Sequence, residues 1–184
     1  MVIRPTKSFQ LDLWTDADLA GLWNIQESDD PICVRSRTGY VITLGDNPII
    51  WGSKLQTETA LSTVESEYIA ASTAMRAFIP VRRLVNKLLG SFGETIPAEN
   101  TMSMIWEDNN GVIKMVDADY PNMTPRTKHV AIKYHWFRDH LNKNEDGSTI
   151  VMKRIDTSMQ RADIFTKGLQ GIEFTRKREM LMGW

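Results

Sequence analysis

Read for the spacing of its apolar positions, the chain begins with a period-two alternation, Phe9-Gln-Leu-Asp-Leu-Trp-Thr15, which predicts a first strand ending at Asp16. A polar stretch, Gln26 to Pro31, separates it from a second, Arg37-Thr-Gly-Tyr-Val-Ile-Thr-Leu44. Gly45-Asp-Asn-Pro48 has turn chemistry and Ile49-Ile-Trp51 resumes the strand pattern, so these two segments should form a hairpin. Three strands joined by short links predict an antiparallel meander. The period then changes. Ser62-Thr-Val-Glu65 has the form of a capping box, in which hydroxyl and carboxylate each cover a free backbone N–H. Ala70, Ala74, Phe78, Val81, Val85 and Leu88 follow at spacings of three and four, an apolar stripe along one long helix. Pro80 predicts a kink or break near Ile79, and Gly90 and Gly93 a stop.

Beyond the helix, Thr101 to Trp106 is a largely apolar fourth strand, as a strand covered on both faces is. A short helix from after Asp108 to about Val116 follows, then a loop bracketed by Pro121 and Pro125 and a helix over Thr127 to Asn142. Gly147 to Lys153 is a fifth strand, and helices are predicted over Ser158 to Lys167 and about Ile172 to Met182. The order βββ-α-β-α-α-β-α implies an α/β chain with a mixed sheet covered by helices.

Composition narrows the class. The 184 residues fit one domain, and 42% apolar with 24% charged residues is ordinary for a globular fold. No apolar run approaches a membrane span, and Met1 to Gln10 lacks the apolar core of a secretory signal. The single cysteine, Cys33, excludes an internal disulfide, and with three histidines it argues against a Cys/His zinc site. A net charge of -1 removes bulk attraction as a reason to bind nucleic acid. Two segments are nonetheless basic: Arg76 to Lys87, with Arg82 and Arg83, and residues 126–143, with Arg126, Lys128, Lys133, Arg138 and Lys143. Solvated helix faces are the plainer reading of both. Tyr40, Trp51 and Trp106, which could stack on bases, sit in predicted strands and are expected to pack in the core.

Candidate chemistry lies in the acids. Asp16 and Asp108 end the first and fourth strands, and if those strands are parallel neighbours the two carboxylates meet at one sheet edge. Ligand sites of open α/β sheets lie at such carboxyl ends. Glu67 extends the apolar stripe by one step and should face the sheet, with Glu65 turned to solvent. Asp163, between Ala162 and Ile164, can lean inward from the penultimate helix. Converging carboxylates without a Cys/His set suit a hard cation such as Mg²⁺. Each acid also has an ordinary reading, as a strand end, a helix cap or a solvated helix position, and spacing alone leaves both open.

At these same residues the sequence resembles the ribonuclease H domain of copia-type LTR retrotransposon polyproteins. The resemblance is carried by Thr15-Asp-Ala-Asp-Leu-Ala-Gly21, Arg37-Thr-Gly-Tyr-Val41, Ile50-Trp-Gly-Ser-Lys54 and Ala60-Leu-Ser-Thr-Val-Glu-Ser-Glu-Tyr-Ile-Ala70. It continues through Glu107-Asp-Asn-Asn-Gly-Val-Ile113, Arg126-Thr-Lys-His-Val-Ala-Ile-Lys-Tyr-His135 and Gln160-Arg-Ala-Asp-Ile-Phe-Thr-Lys-Gly168. The chain departs from the family at Ala131, where an aspartate is common, and in the longer connection Trp23 to Val34. Asp156 to Arg161, moreover, lacks the histidine that many cellular ribonucleases H carry before the final acid.

The resemblance implies a ribonuclease H-like fold: a five-stranded mixed sheet, three antiparallel then two parallel strands, with helices on both faces. It implies that Asp16, Glu67, Asp108 and Asp163 are the catalytic acids and the ligands of two Mg²⁺ ions, for which Mn²⁺ can substitute. The activity implied is two-metal hydrolysis of the RNA strand of RNA–DNA hybrids during reverse transcription; for that activity, groups near Ser62 and Thr63, and Asn109 beside the acids, are candidate substrate contacts. The partners implied are the hybrid and a reverse transcriptase of the parent polyprotein, in a cytoplasmic virus-like particle. Residues 1–8 are expected to be an N-terminal extension, 9–170 the ribonuclease H-like domain and 171–184 a C-terminal helical tail. Two other readings stay open: a weakly active or inactive module of this fold that binds nucleic acid or polyprotein partners, and another nuclease on the same fold.

Overall fold

The computed structural model describes residues 3, 9–24, 26, 30, 32–92, 102–118, 134–143 and 149–184. Strands β1 (Leu11–Asp18), β2 (Arg37–Leu44), β3 (Asn47–Leu55), β4 (Met102–Glu107), the two-residue β5 (Asn142–Lys143) and β6 (Thr149–Arg154) form one sheet. Its order is β3-β2-β1-β4-β6-β5. β1 runs antiparallel to β2 and β2 to β3, whereas β1 with β4 and β4 with β6 are parallel. The predicted five-stranded mixed sheet is therefore present, with β5 added antiparallel at the β6 edge.

Local chemistry explains most element boundaries. The β2–β3 hairpin turns through Gly45 and Asp46, both at positive φ, as a two-residue turn matched to the twist of its strands requires. Helix α1 (Thr63–Ser91) starts at Ser62, whose hydroxyl accepts the Glu65 N–H. The Glu65 carboxylate reaches back to the Leu61 N–H at 2.8 Å, one residue earlier than the usual capping box, and is thereby half-buried rather than turned to solvent. α1 continues through Pro80 instead of breaking. Met75, Phe78 and Arg82 are buried on either side of the proline, so both halves are held down, and exposed Arg76 leaves its unbonded carbonyl near water. Helix α2 (Asn110–Asp117) is capped by Asn109, whose side chain accepts the Gly111 N–H, and not by Asp108. Helix α3 (Gly171–Met182) closes at Gly183 in the left-handed conformation.

The helix predicted over Ser158 to Lys167 is instead two short 3₁₀ turns, Thr157–Met159 and Arg161–Phe165. The side chains of Asp156 and Gln160 each accept the N–H two residues on, and such local bonds compete with a continuous helix. The helix predicted over Thr127 to Asn142 is seen only in its last part, as a 3₁₀ turn at His135–His140 leading into β5. The loop with Pro121 and Pro125, and residues 126–133 of the basic segment 126–143, lie outside the described residues.

Two packed layers flank the sheet. On one face α1 presents Tyr68, Ile69, Ala71, Met75 and Phe78 to Leu11, Leu13, Ile42, Ile105 and Ile150. On the other, Trp14, Val41, Ala162 and Leu181 form a smaller cluster, with Trp106 stacked on Trp14 at 5.4 Å. Trp51 does not join the core: on β3, an edge strand of the sheet, it is 56% exposed. Arg82 departs from a solvated basic stripe, being buried with its Nε donating to Ser103 Oγ at 3.1 Å. Among the described residues no helix is long and apolar enough to cross a membrane.

Candidate metal centre

The parallel pairing of β1 with β4 sets Trp14 opposite Trp106, and two residues further along each strand come Asp16 and Asp108. The first turns of α1 pass over the same edge and lower Glu67 onto it. One carboxylate oxygen from each of Asp16, Glu67 and Asp108 lies within 4.8 Å of the others, with Asp16 and Glu67 buried and Asp108 half-buried. Folding thus gathers three of the four acids chosen from the sequence.

Such crowding is unfavourable for the bare side chains. Burial, with smaller contributions from Asp163 and Asp108, raises the Asp16 carboxyl to about 7, against the pull of Lys167 and the Thr166 hydroxyl. Burial, then Glu107, Asp16 and Asp108, pushes Glu67 up to about 11. The buried Asp16 Oδ1 and Glu67 Oε2 accept no hydrogen bond, an uncommon state for buried polar atoms. Hard, anionic oxygens with unfilled acceptor positions are the donor set that Mg²⁺ or Mn²⁺ takes, so these three residues fit a divalent cation.

Asp163 is buried but stands outside that trio. Its Oδ1 receives Lys167 Nζ at 2.6 Å and its Oδ2 receives Lys177 Nζ at 2.6 Å, so both oxygens already carry a cation. Lys177, 2% exposed, also donates to the carbonyls of Thr157 and Gln160 at 2.7 and 2.8 Å. Lys167 reaches on toward Asp16 Oδ1 at 3.5 Å, and the Thr166 hydroxyl donates to Asp16 Oδ2. The turn bearing these groups is pinned to the sheet by Gln160, whose amide donates to the carbonyls of Thr15 and Trp106 at 2.9 and 3.2 Å. Gly39, paired with Asp16 across β1 and β2, makes this approach possible: a Cβ there would lie 2.5 Å from Thr166 Cγ2 and 2.9 Å from Phe165 Cβ.

Several members of this environment went unread in the sequence. Glu107 is wholly buried, and burial raises its carboxyl well above the ordinary range despite a bond from the Asn109 N–H. Its Oε2 also accepts nothing. The period-two signal was available: Ile105 faces the α1 core, so Glu107, two residues on, follows it toward Glu67. Lys177 offered no such signal, since most of its own helix is exposed. Of the residues expected to touch substrate, Ser62 and Asn109 use side-chain oxygens as helix caps, and Thr63 is exposed at the start of α1.

No family model matches the chain. It is 31% identical over 168 residues, 91% of its length, to the retrovirus-related Pol polyprotein from transposon TNT 1-94 of Nicotiana tabacum. It is 30% and 28% identical over 94% of its length to those from transposons RE1 and RE2 of Arabidopsis thaliana. The chain spans only 10–11% of the length of these curated relatives. Among solved structures it is similar to LC11-RNase H1, isolated from compost by a metagenomic approach, with TM-score 0.53 and 18% identity over 86% of this chain and 93% of that one. RNase H1 of the halophilic archaeon Halobacterium salinarum NRC-1 superposes with TM-score 0.52 and 14% identity over 85% and 94%. LC11-RNase H1 in complex with an RNA/DNA hybrid gives TM-score 0.53 and 17% identity over 85% and 94%. At these identities the structural likeness establishes the fold.

Proposed function

The chain is a ribonuclease H-fold relative of the retrovirus-related Pol polyproteins of copia-type plant transposons, and from that premise we propose that it is a metal-dependent endonuclease cutting the RNA strand of RNA–DNA hybrids. The observation that carries this reading is the convergence of Asp16, Glu67 and Asp108 at the carboxyl ends of two parallel strands. These residues would hold Mg²⁺, with Mn²⁺ as a substitute. When bound, divalent cations in such a site activate water and neutralise charge on the departing 3′ oxygen.

The protein's own residues prepare the site. Thr166 orients Asp16 by donating to Oδ2, which leaves Oδ1 free of hydrogen bonds, with Lys167 Nζ 3.5 Å away. The Glu107 carboxylate accepts the Asn109 N–H at 3.0 Å and so fixes the backbone beside Asp108. Selection of RNA over DNA rests on contacts to the 2′-hydroxyl, for which the Thr63 hydroxyl and the Asn109 side chain are candidates, with Ser62 supplying backbone. Exposed Arg76, Arg83 and Lys87 on α1 would follow the phosphates of the other strand. In a parent polyprotein the natural partner is a reverse transcriptase that makes the hybrid, within a cytoplasmic virus-like particle.

The test compares cleavage of an RNA–DNA hybrid, duplex DNA and a four-way junction with Mg²⁺ or Mn²⁺. The expected result is scission of the hybrid's RNA strand alone, abolished in Asp108→Asn together with calorimetric cation binding. A wild-type protein that binds no divalent cation and cuts nothing would leave the fold without the activity.

A further inference from the structure

We propose that Lys167 is a built-in competitor of a second divalent cation, its ammonium standing between Asp16 and Asp163 where a further ion would otherwise bridge them. The inference rests on the metal reading of the Asp16, Glu67 and Asp108 cluster and concerns how many ions it takes.

The geometry divides the five buried or half-buried acids here into two groups. Asp16 Oδ1, Glu67 Oε2 and Glu107 Oε2 accept no hydrogen bond, and Asp16, Glu67 and Asp108 close on one another within 4.8 Å. A first ion finds that trio ready. Asp163 stands outside the trio, and both of its oxygens are occupied at 2.6 Å by ammonium groups. Of these two lysines, Lys177 is locked in place by two backbone carbonyls and is 2% exposed, so it belongs to the framework. Lys167 differs: its side chain is 37% exposed, and its bonds to the site run only to Asp163 and, at 3.5 Å, to Asp16. It is therefore the group that can swing to solvent. A second ion using Asp163 must displace it or sit beside a like charge, which at an effective dielectric near 20 is strongly unfavourable over a few ångströms.

The consequence is ordered, unequal binding: one ion in the carboxylate trio, and a second only after Lys167 withdraws from Asp163. Lys167 acts here as a positioning residue, setting when Asp163 becomes a ligand. Its four-carbon stem makes that motion local and leaves the 3₁₀ turn, pinned by Gln160, undisturbed.

Mn²⁺ titration of the whole chain, followed by the paramagnetic resonance of the free ion and by calorimetry, tests this without any turnover. Wild type should take one ion tightly and a second more weakly. Lys167→Met should tighten the second ion by about tenfold or more, the scale of removing one like charge nearby. Lys167→Arg should keep the wild-type pattern, and Asp163→Asn added to Lys167→Met should erase the gain. Circular-dichroism melts establish that each variant is folded. Two ions of equal affinity in wild type, or an unchanged second affinity in Lys167→Met, would overturn the proposal while sparing the metal reading. A first ion unaffected by Asp108→Asn, or no ion at all, would overturn both.

Discussion

Replacing Lys177 by methionine keeps the length of its stem and deletes only the ammonium, which makes it the sharpest probe of how α3 serves the site. Three acceptors lose a charged donor: Asp163 Oδ2 at 2.6 Å, Thr157 O at 2.7 Å and Gln160 O at 2.8 Å. Breaking a buried ion pair from one side costs about 3–5 kcal/mol. Lys167 still pairs with the other Asp163 oxygen and Thr157 O still accepts the Gln160 N–H, both of which lower that figure, while the donor lost at Gln160 O adds about 1 kcal/mol. The net expectation is a loss of about 3 kcal/mol, or about 6–12 °C in Tm for a domain of this size. Urea unfolding followed by tryptophan fluorescence in EDTA measures it, with Trp14 and Trp106 in the cluster that α3 covers through Leu181. Adding Asp163→Asn to Lys177→Met should recover at least about 1 kcal/mol, because the buried carboxylate, left with Lys167 as its one cation, is gone. A loss below about 1 kcal/mol for the single change, or no recovery in the double, would refute the claim that the pair anchors α3. Residues 171–184 would then be no more than the C-terminal helical tail expected from the sequence.

Other outcomes follow from the same geometry. In EDTA the Tm should fall as pH rises, because Asp16 and Glu67 keep their protons in the folded state up to about 7 and about 11 while the unfolded chain ionises near 3.8 and 4.5. That stabilisation is complete below pH 4 and is lost through pH 7 for Asp16 and onward toward 11 for Glu67; a thermal-shift series that rises with pH across this window would contradict it. Mg²⁺ should reverse the trend at pH 8, since a bound cation favours the ionised carboxylates. Gly39→Ala should destabilise by about 1–3 kcal/mol by forcing the Phe165–Thr166 backbone off the sheet, and it should weaken Mn²⁺ binding by unseating Thr166 from Asp16. Unaltered melting and titration curves in that variant would mean that the close approach has no role.

Local signals in the chain determined a great deal. Alternation placed β1, β2, β3 and the hairpin, because strand side chains repeat every two residues whatever they pack against. The stripe placed α1, and its first members, Ala70, Ala74 and Phe78, turned Glu67 inward because that face had to be buried; at its far end Leu88 is exposed instead. From these, Asp16, Glu67 and Asp108 were legible as a converging set once β1 and β4 were taken to be parallel neighbours. Tertiary structure alone decided the rest, since it turns on partners distant in sequence. Asp163 reads as a fourth ligand in the chain, but Lys177, fourteen residues on, and Lys167 hold its oxygens in the fold. Ser158 to Lys167 has the composition of a helix, yet Asp156 and Gln160 bond to nearby backbone and Gln160 also ties the turn to β1 and β4. Trp51 alternates like a core residue and is exposed on β3, an edge strand of the sheet. Periodicity reports which face of an element is apolar; which charge meets which, and whether a face is covered, depends on elements that the local pattern never sees.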